Sequence, residues 1–515
     1  MHLMLSKKSS GIYATAADSE RIDGKVVKTN RIYLGKVVDL EKGIFENKER
    51  GIYRFDVEKG EYGSVNLTVL PKKRGKRILE ADFGNMFFLD RFMDRMGIYG
   101  CIDASGCPNS DTAKALVSYY ILESTPNSWA EDWYEGNYAS VLFPKADMDD
   151  RRISEFLKAM GSEEIQRSFY GNYIGTIVGS DPTVFLIDST GVPNSIRMPI
   201  TGINNHNGQI SLETRLILVC RKSDRMPIFL RYVPGNIIDS GTLIRTIDEV
   251  RAYGLDPEYT IIDAGYCTLE NMIEMLEMRV GFITRLKRNL EIYKDMVGEY
   301  LSDLTPDRRI IHNDRFMRVV SKEQRIGEHG GKIWLHLIMD EDMKNAQEKT
   351  LFIKYQAGEI DSERFDECNR TAGIFILAST WWMEPQDIIR TYFERGGIEQ
   401  LIDVGKSDSR LSEAAVHSEE CFKGKLLMEF IALAVNQALQ NHFKARKEFL
   451  SSKKRKNKDA IPGRNLSPAH ALSVLRNQKC KVFENVILPS EPTKSVNDVY
   501  RLVGFECPKR LERTE

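Results

Sequence analysis

The chain has 515 residues, with Lys+Arg 73 against Asp+Glu 74, a formal net charge of −1, 42% hydrophobic and 29% charged residues. That length predicts about three or four domains, or one core with a large insertion, and the composition excludes a highly charged disordered chain. The near-zero sum argues against a uniformly basic nucleic-acid binder, although a sum conceals how charge is distributed along the chain.

Residues 1 to about 70 predict short strands and turns. RIYLGKVVDL (31–40) and SVNLTVL (64–70) are β-branched and punctuated by polar residues. A basic patch follows at Lys72, Lys73, Arg74, Lys76 and Arg77. From about 84 to 175 apolar residues recur at i, i+3 and i+4, which predicts helices; Asp111 and Thr112 are candidate caps. At Val184 the pattern changes. VFLIDST (184–190), ETRLILVC (213–220) and MPIFLRYV (226–233) predict strands, and SGTLIRTIDEVRAYG (240–254) a helix capped by Ser240. YTIID (259–263) is a strand, TLENMIEMLEMR (268–279) a helix and GFITRL (281–286) a strand. This order predicts an α/β sheet with an antiparallel portion. RFMRVVS, KIWLHLIMD, TLFIKYQ and GIFILAST then predict a β-rich stretch over 287–380. Helical patterning returns in EPQDIIRTYFERGGIEQLIDVGKS from Glu384, where Gly396 and Gly397 each weaken a continuous helix by about 1 kcal/mol. Residues 417–450 predict one long apolar helix.

No stretch approaches about 18 consecutive apolar residues, so no membrane span is expected. The first residues lack the apolar core of a signal peptide. The eight cysteines are thinly spread, and the Cys101–Cys107 spacing fits no zinc pattern, which suits reduced thiols in a cytosolic protein. His206, His312, His329, His336 and His417 have no zinc-hydrolase spacing.

The acids are more informative. Asp188 and Asp263 each end an apolar strand, where an ionised carboxylate needs water, a partner or a metal. In open α/β sheets ligands gather beyond the carboxyl ends of strands. Either acid alone also suits a strand-end turn. Tyr392, Arg395, Glu399 and Lys406 fall at i, i+3, i+7 and i+14 and share one stripe of a helix. That stripe fits a phosphate-facing surface, or a solvated Arg395–Glu399 pair.

At this point the sequence resembles bacterial insertion-sequence transposases of the DDE class, with a ribonuclease H-like core. Tyr392, Arg395, Glu399 and Lys406 match the Y-x2-R-x3-E-x6-K signature of one group at all four positions. LIDSTGVPN around Asp188 is similar to the first-strand motif, and IIDAGYCT around Asp263 to the D-x-G-[FY] motif, with Gly265 and Tyr266 in register. NHNG (205–208), PGNIIDSGTL (234–243), RIYLGKVVDLEKGIF and AEDWYEGNY are typical of one branch, so the resemblance spans roughly 30–440. One departure is Leu401-Ile402-Asp403 after Glu399, where many relatives carry an aromatic and a basic surface.

The resemblance implies Asp188, Asp263 and Glu399 as catalytic residues and ligands of two Mg²⁺ ions, with Mn²⁺ able to substitute. It implies Tyr392, Arg395 and Lys406 as phosphate contacts and a tryptophan, Trp334 foremost and otherwise Trp381 or Trp382, as a base-stacking candidate. It implies a homodimer acting on double-stranded DNA, both terminal inverted repeats and target, in a bacterial cytoplasm at the nucleoid. The expected activity is strand cleavage and strand transfer. A catalytically silent DNA-binding relative and a ribonuclease H-fold nuclease that cuts without joining are the alternatives. The expected organisation is a β-rich region at 1–83, a helical domain at 84–180, a catalytic core at 181–286 and 381–415 interrupted by the β-rich insertion at 287–380, and a helical basic region at 416–515. From Lys425 to Lys481 there are 13 Lys/Arg against 3 Asp/Glu, densest at 444–458 with Lys453, Lys454, Arg455 and Lys456, which suits phosphate binding that weakens with salt.

Overall fold

The computed structural model describes residues 1–8, 11–22, 25–40, 42–47, 50–63, 80–123, 125–179, 182–193, 198–206, 209–408, 416, 418–452 and 467–512. The strand expected at 64–70, the basic patch at 72–77 and the Lys453–Lys456 cluster lie outside the described residues. Two compact units divide the chain, Met1–Arg77 and Ile78–Glu515.

The first unit is an antiparallel sheet whose six strands pair in chain order. They are β1 (His2–Lys8), β2 (Gly11–Ile22), β3 (Lys25–Asp39), β4 (Ile44–Asn47), β5 (Gly51–Asp56) and β6 (Glu61–Gly63). Alternating side chains place Ala14, Ala16, Leu34, Phe45, Tyr53 and Phe55 in a small core. The Tyr53 hydroxyl donates to the Leu34 carbonyl at 2.8 Å, so the ring's polar end is satisfied inside.

The second unit is built on a ten-stranded mixed sheet. After a short β7 (Glu80–Asp82) and a run of helices come β8 (Thr183–Pro193), β9 (Gly202–His206), β10 (Gln209–Arg221) and β11 (Pro227–Pro234). Then follow β12 (Pro257–Ile262), β13 (Gly281–Arg285), β14 (Arg309–His312), β15 (Arg315–Ile326), β16 (Gly331–Asp340) and β17 (Ile374–Ser379). Their order is β11-β10-β8-β12-β13-β17-β16-β15-β14, with β9 paired to β10. β10 is antiparallel to both β8 and β11, whereas β12 is parallel to β8 and to β13. Helices Leu243–Ala252 and Leu269–Glu277 make the two crossovers that parallel strands require.

Four local expectations change, the first being that the helix expected from Ser240 starts at Leu243, with Thr242 at its N-cap and Ser240 in the preceding turn Asp239–Gly241. TLFIKYQ is not a strand but the end of the helix Glu341–Gln356. Asp340 caps that helix by accepting from the Met343 amide at 2.9 Å, and Glu341 and Asp342 add negative charge to its first turn. Phe352, Ile353 and Tyr355 are exposed on it, so their apolar run carries no burial signal. The helix Ser110–Leu122 is capped by Asn109, whose side chain accepts from the Thr112 amide at 3.0 Å. The helix expected from 384 is two helices, Pro385–Phe393 and Gly396–Asp408.

Helices flank the sheet. The long helix Glu419–Ser452 is apolar because it is buried along much of its length, with Phe430, Ile431, Leu433 and Val435 fully covered. It crosses the helix Asp150–Met160 at a glycine contact. A Cβ on Gly424 would stand 1.9 Å from the Leu157 carbonyl oxygen, and one on Gly161 would stand 1.9 Å from that of Glu420. The unit's two ends meet in a small sheet in which β7 pairs with β18 (Lys479–Val482), followed by β19 (Val486–Pro489) and β20 (Leu511–Glu512).

The glycine crossing gives a testable contrast. Gly424→Ala drives a methyl into backbone and is expected to destabilise the unit by about 1–3 kcal/mol. Gly171→Ala, also helical but with nothing within 4 Å of its Cβ, is expected to stabilise by about 0.5–1 kcal/mol. Thermal melting of both variants checks the opposite signs.

Candidate active site

The first acid follows from the sheet. Phe185, Leu186 and Ile187 of β8 are fully buried, and Asp188 comes next with its side chain 16% exposed. β12 runs parallel, with Leu186 opposite Ile261 and Ile187 opposite Ile262. Asp188 and Asp263 are therefore level with each other where the β8–β12 pairing stops; Asp263 directly follows β12, whereas β8 runs on to Pro193, with Asp188 paired to Leu218 of β10. Asp263 starts the short turn Ala264–Tyr266 and is 43% exposed.

The third acid comes from a helix. Tyr392 ends Pro385–Phe393, Arg395 lies in the break, and Glu399 stands in the first turn of Gly396–Asp408. The break is bridged by i→i+3 bonds, Gly397 N–H to Glu394 C=O at 3.0 Å and Ile398 N–H to Arg395 C=O at 2.9 Å. Gly397 lets Arg225 pack closely there: a Cβ would stand 2.4 Å from Arg225 Nε, so the arginine side chain would have to shift. Arg225 Nη1 in turn donates to Gln400 Oε1 at 3.0 Å, and Lys222 pairs with Glu394 at 2.7 Å. The β10–β11 turn thus holds the broken helix against the strand ends.

These elements meet at one guanidinium. Arg395 Nη1 donates to Asp188 Oδ2 at 3.1 Å, Nη2 donates to Glu399 Oε1 at 2.6 Å, and Nη2 stands 3.6 Å from Asp263 Oδ1. The Tyr392 hydroxyl reaches Asp263 Oδ1 at 3.5 Å. Burial pushes the Asp188 carboxyl up to about 6; Arg395 and the Ser189 amide oppose this, and Asp263 and Glu399 add to it. Burial, then the Asp263 charge, pushes the Tyr392 hydroxyl up to about 12, so it stays a donor.

The structure brings Asp188, Asp263, Tyr392, Arg395 and Glu399 together. Lys406 is half-buried on the same helix as Glu399, roughly 10 Å further along its axis. Trp334 is not brought to the acids. It lies on β16, three strands from β12, and packs edge-on against Trp382 with ring centroids 4.7 Å apart. Trp381 packs on Tyr259, near the opposite end of β12 from Asp263. Two further groups border the site. Lys287 Nζ donates to the Gly265 carbonyl at 3.0 Å, and Asp239 accepts from Ser189 Oγ at 2.6 Å. The sequence signal for Lys287 is a cation just past the buried strand β13; for Asp239 it is the motif PGNIIDSGTL, whose acid has no local partner.

Among the described residues no three His, Cys, Asp or Glu side chains stand in metal-holding geometry. The Arg395 guanidinium contacts all three carboxylates at once. The donor set itself fits a hard divalent cation. It is all carboxylate oxygen, which suits Mg²⁺ or Mn²⁺ and not zinc. Three carboxylates against one guanidinium also leave a negative excess for a cation to balance.

The fold and the site define an α/β protein with a three-carboxylate centre where the pairing of two adjacent parallel strands stops. Residues 179–435 match the family model described as the transposase DDE domain, and that span contains all three acids. No curated protein matches the chain. Among solved structures it is similar to a piggyBac transposase in a synaptic complex with hairpin DNA, determined by cryo-EM, at 13% identity and a TM-score of 0.38, over 72% of this chain and 77% of that one. No helix among the described residues is long and apolar enough to cross a membrane.

The Asp188 shift sets a pH dependence. Its carboxyl holds a proton more tightly in the folded chain, at about 6, than at the ordinary 3.8. The resulting stabilisation is full below about pH 4 and is lost as pH rises through 6, a change of about 3 kcal/mol. In EDTA, Asp188→Asn is therefore expected to gain stability relative to the wild type between pH 4 and 7. Paired melting curves check this, and a pH-independent difference would contradict it.

Proposed function

We propose that the protein is a DNA transposase that binds the terminal inverted repeats of an insertion sequence and performs metal-dependent strand cleavage and strand transfer. The observation that carries this reading is the convergence of Asp188, Asp263 and Glu399, from two strands and a helix, on Arg395. The match of residues 179–435 to the transposase DDE domain supports it. The core sheet also supports it. Two antiparallel strands lie on one side of β8 and two parallel ones on the other, which we read as ribonuclease H-like.

In this reading Asp188, Asp263 and Glu399 would hold two Mg²⁺, or Mn²⁺, which would activate the attacking oxygen and stabilise the leaving one. Water attacks the phosphodiester in line at the element's end, and the freed 3′-hydroxyl then attacks target DNA. The other roles belong to this chain's cations and donors. Arg395 presents a planar fork suited to phosphate, Tyr392 keeps a protonated hydroxyl beside Asp263, and Lys406 adds a point charge further along the helix. Lys287 places another cation next to the second acid. Lys453, Lys454, Arg455 and Lys456 are proposed contacts to DNA backbone, and Trp334 the base-stacking residue. Two element ends must be held together for joining, so a homodimer on double-stranded DNA is the proposed assembly. The proposed setting is the bacterial nucleoid.

Cleavage and strand-transfer assays on DNA ending in the element's inverted repeats, with Mg²⁺, test the reading. Joined products are expected. Asp263→Ala is expected to lower cleavage on the order of a thousandfold, the several kcal/mol that a misplaced metal withdraws, while DNA binding persists. Cutting without joining identifies a nuclease instead, and binding that is never followed by cutting leaves only a DNA-binding protein.

A further inference from the structure

The segment between β11 and the helix Leu243–Ala252 has no part in the mechanism above, yet it touches both acid-bearing segments. Asp239 opens the short turn Asp239–Gly241. Its Oδ1 accepts from Ser189 Oγ at 2.6 Å and from Arg215 Nη1 at 2.6 Å. Ser189 directly follows Asp188, and its amide donates to Asp188 Oδ1 at 2.9 Å. Arg215 lies on β10 opposite Gly191 of β8. The Arg215 and Asp239 side chains are 13% and 25% exposed, so this is a largely enclosed, hydrogen-bonded ion pair and not a surface contact.

The same turn is tied to the second acid. The buried Asn271 side chain donates to the Ser240 carbonyl at 2.8 Å and to the Tyr266 carbonyl at 2.9 Å. Gly265, two residues after Asp263, packs so closely that a Cβ there would stand 3.1 Å from Asp239 Oδ2. Pairing of β8 with β12 sets the backbone only as far as Ile187 and Ile262. Beyond those residues the ladder stops, and the Asp239 turn provides contacts that join the two segments.

We propose that Asp239, clamped by Arg215 and Ser189, and Asn271, bridging Ser240 and Tyr266, form a positioning strap that sets the separation of Asp188 and Asp263. The inference rests on the reading of these acids as divalent-cation ligands. The strap residues are positioning residues, because they act through the acids. A shift of about 1 Å in such a pair is enough to cost a hundredfold in rate. Partners that orient metal ligands commonly change metal affinity by about 10–100-fold when removed.

The test is Mn²⁺ binding to the full chain without DNA, followed by the electron paramagnetic resonance signal of free Mn²⁺, with Mg²⁺-dependent cleavage and thermal melting alongside. Asp239→Asn keeps the shape and removes the ion pair; it is expected to weaken Mn²⁺ binding about tenfold or more. Arg215→Ala is expected to do the same, and the double variant to be no worse than either single one. Asp239→Glu is expected to restore part of the affinity. Wild-type Mn²⁺ affinity in folded Asp239→Asn, or a lowered melting temperature with unchanged affinity, overturns the strap. Should Asp239→Asn fail to fold, Arg215→Ala carries the test, and unchanged Mn²⁺ affinity there overturns the strap equally. Wild-type binding that is lost in Asp188→Ala but kept in Asp239→Asn sinks the strap alone. No Mn²⁺ binding by the wild type sinks the reading of the acids, and the strap with it.

Discussion

The attraction between Arg395 and three carboxylates is the interaction on which the arrangement of this site depends. Two acids arrive on parallel strands and one on a helix, and none would sit comfortably beside the other two without a cation. Asp188 shows the strain of that company most clearly, since burial and its acidic neighbours outweigh Arg395 and hold its carboxyl up at about 6. One guanidinium therefore permits the cluster without neutralising it. A centre left partly uncompensated in this way is suited to taking up hard cations.

The position of Arg395 is itself set from a distance. Gln437 and Asn441 of the long helix donate to the Asp224 carbonyl at 2.9 and 2.8 Å, which anchors the β10–β11 turn. From that turn Lys222 and Arg225 reach Glu394 and Gln400 on either side of Arg395. The apolar character of the helix Glu419–Ser452 thus has a consequence at the acids, because its burial fixes the turn that fixes the guanidinium. Packing and chemistry are joined here by a short series of named contacts.

Much of this was legible in the sequence where periodicity and termini agreed. The acids of VFLID and YTIID are visible because a carboxylate after a buried apolar run needs a partner, and β8 and β12 do pair, although β8 runs on past Asp188 to Pro193. The failures have equally local causes. TLFIKYQ looks like a strand because Phe352, Ile353 and Tyr355 are apolar, but they are exposed on a helix whose start is decided by Asp340. Asp239 cannot be paired from the sequence, because its partners, Ser189 and Arg215, are 50 and 24 residues away.

The Gly396–Gly397 pair shows how a local weakness serves the site. Each glycine costs a helix about 1 kcal/mol, and by that measure the pair is a defect. Yet a side chain at 397 would displace Arg225, and the Arg225–Gln400 contact holds the helix that carries Glu399. The chain accepts a break of one tight turn and gains the close approach of Arg225. Tyr392, Arg395 and Glu399 still point the same way, because the i→i+3 bonds across the break keep the stripe in phase. The spacing that reads as one face of one helix is therefore realised by two helices, and the glycines that argued against continuity are what let the face close on the acids.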